Sequence, residues 1–205
     1  ALWTCFGVFI LSTLVAYSQQ VERSFRVEFR VGSTTIDPKY RDNARTLEEM
    51  NEYISRLSLD TDCQALKISV SGVTSLEGSH ERNTLIAQRR QNALKSTILS
   101  HDSALEVENS SDGYFPVSYI KTLLEDTDVP NKGGVISILD KNPEYLYYTT
   151  RRDGKRLTID SRILELSHLE QGAVWRLMER QIFSKLRYAE VVVTAYRKIH
   201  PIEPL

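Results

Sequence analysis

Hydrophobic and polar residues alternate strictly from Ser24 to Val31. Phe25, Val27, Phe29 and Val31 fall on one face, which predicts a strand. From Asn43 to Leu57 the period changes to three and four, with Leu47, Met50, Ile54 and Leu57 on one side, so a helix follows, capped by Asp42 or Asn43. Lys67 to Val73 alternates again: Ile68, Val70 and Gly72 on one face, Ser69, Ser71 and Val73 on the other. Thr74 to Ser79 reads as a loop. From about Asn83 to Leu99 a second amphipathic helix is expected, with Leu85 or Ile86, Arg89 or Arg90, Ala93, Leu94 and Ile98 at helical spacing. Strand, helix, strand, helix predicts two βα units and a parallel pair of strands joined by a crossover helix.

The second half is less regular. Leu105–Glu108 reads as a short strand, residues 109–113 as a loop, and Pro116 opens a helix through Leu124. Val135–Leu139 fits either a strand or a short helix. Asp153-Gly154, flanked by Arg151, Arg152, Lys155 and Arg156, reads as a solvated turn, although Tyr145, Tyr147 and Tyr148 beside basic residues are also a pattern that stacks on bases or sugars. Asp160 or Ser161 caps a helix reaching Leu186, with a break expected at Gly172, and Trp175 is its core anchor. The run AEVVVTAY, residues 189–196, is a strand apolar enough for a central position. The fold class is therefore α/β, built as an α+β sandwich.

Strand, polar loop and helix around residues 68–99 form an anion site in principle. Free amides and the positive end of the helix dipole face the loop, and an arginine one or two turns in can hold a carboxylate. The alternative is a solvated helix face.

Gly72-Val73-Thr74-Ser75, Gly78-Ser79, Asn83, Ile86-Ala87 and Arg90 resemble the core motif of the OmpA-like peptidoglycan-binding domain, usually G-H-T-D-x-x-G-S followed by N-x-x-L-S-x-x-R-A. The likeness is at motif level over residues 25–99 and looser over 100–198. Residues 29–43 also resemble a subgroup of Gram-negative envelope proteins in which such a region carries a long C-terminal extension. The resemblance implies a βαβα core, a final strand, and an insertion around 100–188, since roughly ninety residues separate Leu99 from that strand. It implies a non-catalytic module that binds peptidoglycan, with Thr74, Ser75, Gly78, Asn83 and Arg90 as its site. In the family an aspartate and an arginine fifteen positions apart grip the ammonium and carboxylate of the stem-peptide diaminopimelate. Ser75 and Arg90 keep that spacing, but Ser75 replaces the aspartate, and Val73, Ala87 and Gln91 also depart from the usual residues. A hydroxyl supports an ammonium less strongly than a carboxylate does. Glu77 and Glu81 are the nearby acids that could substitute. The alternative is an envelope assembly module, working with an outer-membrane β-barrel or an appendage protein, that keeps the fold and has lost the wall ligand.

Composition narrows the classes. With 26 basic and 27 acidic residues the net charge is −1, which gives no field to steer nucleic acid. Residues 1–18 carry no charge, hold an apolar run from Phe6 to Ala16 and end in small residues, so a signal peptide is expected, and with it the periplasm and association with the outer membrane. That run is shorter than a membrane span of ~20 residues. The lone mature cysteine, Cys63, is expected as a small buried group. Residues 199–205 read as a tail or the start of a linker. No hydrolase, phosphate-loop or zinc motif is present, the four histidines form no ligand pattern, and Asp60-Thr61-Asp62 lacks the rest of a calcium loop, so neither catalysis nor a cofactor nor a metal is expected.

Overall fold

A computed structural model describes residues 18–110, 115–150 and 153–198. The expected signal peptide at 1–18, apart from Ser18, lies outside the described residues, as do the tail at 199–205, Arg151-Arg152 and most of the loop at 109–113. The chain forms β1 (Ser18–Glu28), α1 (Asn43–Ser58), β2 (Cys63–Gly72), α2 (His80–His101) and β3 (Val107–Asn109). It continues through α3 (Val117–Glu125), α4 (Lys132–Leu139), a hairpin of β4 (Tyr145–Thr149) and β5 (Arg156–Asp160), α5 (Ser161–His168), α6 (Ala173–Gln181) and β6 (Tyr188–Lys198).

The four-stranded sheet has the order β1-β6-β2-β3. Strand β6 pairs antiparallel with both β1 and β2, and β2 pairs parallel with β3. This corrects the expected pairing. β1 and β2 run in the same direction, but β6 separates them, and the hydrogen-bonded parallel pair is β2–β3, crossed over by α2. The register sets Phe25, Val191 and Val70 in one row and Ile68 beside Val193, all on the face covered by α1 and α2. Met50, Ile54, Leu94 and Ile98 close this core, an α+β sandwich. The Val191-Val192-Val193 run sits in the central strand, where its burial is greatest on the helix side.

A second core forms from the segment between β3 and β6. Ile120, Leu124, Val135, Leu139, Ile163, Leu166, Val174, Met178 and Phe183 pack together there, and Val73, Leu76 and Tyr188 join them from the ends of β2 and β6. The stretch 135–139 resolves as helix. The expected helix from Asp160 to Leu186 is two short helices, because Glu170, Gln171 and Gly172 adopt left-handed backbone and turn the chain between them. Trp175 is half-buried in this layer and meets the Phe183 ring edge-on at 4.8 Å. Arg162 is buried here with a carboxylate partner: its Nε and Nη2 donate to Asp160 at 3.0 and 2.7 Å.

Other local departures have clear causes. Val31 is 77% exposed, because β1 ends at Glu28, where β6 begins at Tyr188 and supplies no further partner. Asn43 is buried as the first residue of α1, and its side chain bonds to the backbone of Glu28 and Asp37 instead of capping the helix. Cys63 is a free thiol, half-buried at the edge of the first core. Among the described residues no helix is long and apolar enough to cross a membrane.

Candidate functional site

Strand β2 ends at Gly72, where α2 crosses so closely that a Cβ would sit 1.9 Å from the Ala87 carbonyl oxygen. Only glycine permits that approach. It fixes the front of α2 over the loop that leaves β2. The loop turns at Gly78, whose φ of +106° also favours glycine, and closes on Ser79. The Ser79 hydroxyl caps α2 by accepting from the Arg82 amide at 3.2 Å. Helix α2 therefore starts at His80, before the apolar period that marked it at Asn83.

About one and three turns into this helix, Asn83 and Arg90 are buried. Arg90 is 2% exposed, and of the two adjacent arginines it is the buried one. Its Nε donates to the Ser33 carbonyl at 3.0 Å and its Nη1 to the Val73 carbonyl at 2.7 Å, with the guanidinium carbon 5.0 Å from the Phe29 ring centre. Among the described residues no carboxylate pairs with it. Burial, and then the nearby Arg187 cation, push its pKa down to about 10. It stays protonated at neutral pH as a buried charge held only by neutral acceptors. The other guanidinium buried among the described residues, Arg162, is paired with a carboxylate.

Beside Arg90 lies a cavity of about 170 Å³, lined by Thr74, Ser75, Glu77, Gly78, Arg82, Asn83, Ile86, Arg90 and Arg187. All five residues singled out in the sequence, Thr74, Ser75, Gly78, Asn83 and Arg90, therefore border one space. Thr74 and Asn83 are 3% and 2% exposed, yet Thr74 Oγ1 and Asn83 Nδ2 have no hydrogen-bond partner among the described residues. Both residues border the cavity, but these two atoms are closed off from solvent, so the arginines on its wall are the groups that could hold an anion. The volume suits a carboxylate or phosphate group and falls below that of a drug-sized pocket, ~300 Å³ or more.

The structure separates the two acids that could replace the missing aspartate. Glu77 lines the cavity, with its carboxylate accepting from Arg187 Nη2 at 3.1 Å. Glu81 faces the β4–β5 hairpin, where it accepts from the Thr158 amide at 2.9 Å and from the Thr158 hydroxyl. Arg187 itself gave no sequence signal. It reaches the site because its carbonyl accepts from the Phe29 amide at 2.7 Å and Val73 bonds to the Tyr188 carbonyl at 2.9 Å, contacts made only once β6 lies between β1 and β2. Among the described residues no cluster of three or more His, Cys, Asp or Glu side chains could hold a metal ion. No family model and no curated protein matches the chain.

Proposed function

We propose that this protein is a non-catalytic, periplasmic cell-wall-binding module that anchors an outer-membrane protein or complex by holding a carboxylate of a peptidoglycan stem peptide in the Arg90 cavity. One observation carries the reading: a buried guanidinium, with no carboxylate partner among the described residues, borders a small cavity whose wall also carries Arg82 and Arg187. A carboxylate in that cavity would supply the negative charge that Arg90 lacks. The resemblance of residues 72–90 to the OmpA-like motif supports peptidoglycan as the polymer. Ser75 supports a second reading, an envelope assembly module with a protein partner, because the cavity holds a hydroxyl where the family holds a charge.

The test is retention on purified peptidoglycan sacculi. The wild-type domain should co-sediment, and Arg90→Lys, which keeps the charge and loses the fork of donors, should reduce retention about ten-fold, the loss of one charge-assisted hydrogen bond or so. Circular dichroism confirms that the variant folds. Equal retention of the two proteins would remove Arg90 from the site, and no retention by the wild type together with capture of one envelope protein from solubilised membranes would replace the first reading with the second.

A further inference from the structure

The cavity is more cationic than recognition of an amino-acid zwitterion requires. Three arginines line it, at positions 82, 90 and 187, against a single carboxylate, Glu77, which Arg187 already engages. Arg187 stands near enough to Arg90 to disfavour its charge, and the cavity wall carries Ser75 in place of an acid. A ligand ammonium would enter a space with an excess of like charge. A second negative charge would instead meet Arg187, which is only partly buried and is tied to an exposed acid by a single contact. That contact can exchange, because the Glu77 side chain is 44% exposed and water can take the place of Arg187 on it.

We infer that the cavity is a two-guanidinium site that selects a doubly negative group, with Arg90 as its fixed floor and Arg187 transferring from Glu77 to the ligand. Arg90 Nη2, which takes no part in the carbonyl bonds, takes one oxyanion face, and Arg187 takes the other. Two carboxylates on one end group and a phosphate both carry this charge. The inference rests on the cavity being the ligand site, and on the wall reading it selects stem-peptide ends that bear two carboxylates.

Calorimetric titration of the folded protein with glutarate, inorganic phosphate, acetate and alanine tests it. Glutarate or phosphate should bind at least about ten-fold more tightly than acetate, with alanine weakest, as one added charge contact predicts. Tighter glutarate identifies a dicarboxylate end, and tighter phosphate a phosphorylated one. Arg187→Gln should bring the dianion down to the acetate level. Glu77→Gln should raise dianion affinity by releasing Arg187, and Ser75→Asp should reverse the order in favour of alanine. Acetate or alanine binding as well as the dianions, Arg187→Gln without effect, or no ligand bound at all would overturn the inference. Sacculus retention that depends on Arg90 but not on Arg187 would overturn it while leaving the wall reading in place. Dianion binding without sacculus retention would do the reverse.

Discussion

Arg90 is a charge the fold bears at a cost. Its pKa in the folded protein lies below that of the free side chain, so the unfolded chain holds this proton more tightly. The penalty is full below about pH 10 and fades as pH rises above it. An anion in the cavity removes the same penalty at neutral pH, so any ligand that binds should also raise the melting temperature. Gly72 is the other residue on which the site depends. In Gly72→Ala the new methyl meets backbone and not a flexible side chain, so α2 must lift off β2. Chemical denaturation should show a loss of about 3 kcal/mol, the upper range for overpacking. A loss below about 0.5 kcal/mol would mean that the helix shifts freely and does not hold Arg90 in place.

At the scale of elements, the β4–β5 hairpin is pinned to the start of α2 by Glu81, with the His80 and Tyr145 rings 4.5 Å apart. Burial acts to raise the Glu81 pKa, but hydrogen bonds from Thr158, from its own amide and from Ser79 outweigh it and lower the value. A lowered carboxyl contributes stability above its unfolded value, and that contribution is lost as pH falls through the folded one. The Thr158 amide resonance should therefore shift in acid with a midpoint below the ordinary glutamate value, and Glu81→Gln should abolish the shift. A midpoint at the ordinary value would mean that the hairpin is not held there. This attachment was not legible in the sequence, where Glu81 is one acid among many and its partner lies far downstream. The strands were legible, because alternation at Phe25-Val27 and Ile68-Val70 is a local signal. Where β1 stops was not: the pattern runs on to Val31, but a partner strand decides where pairing ends. The start of α2 was hidden for a related reason, since the Ser79 cap precedes three polar residues that carry no apolar period.

For the whole molecule, the order of strands was the least readable property, and the composition of the site depended on it. Eight of the lining residues sit between Thr74 and Arg90, and a motif in that stretch picked out five of them. Arg187 enters only through the placement of β6. The two cores adjoin at that junction, with Val73, Leu76 and Tyr188 in the second core while their neighbours Val70 and Ala189 belong to the first. Unfolding should therefore be a single transition. Native-state hydrogen exchange should give amides of α3–α6 and of β6 opening free energies that agree within about 1 kcal/mol, as one cooperative unit requires. Helical-layer amides opening several kcal/mol earlier would make that layer an independent unit.

The position of β6 also bears on how the chain is made. Its neighbours β1 and β2 are synthesised long before it, and until it arrives neither has the partner that joins them. Two apolar edges must stay apart on the nascent polypeptide for most of translation, the kind of non-local closure that slows folding and invites misassociation. A premature stop ahead of Tyr188 would remove the keystone of the sheet along with its last strand, leaving a product fit for proteolysis and not a shortened working protein.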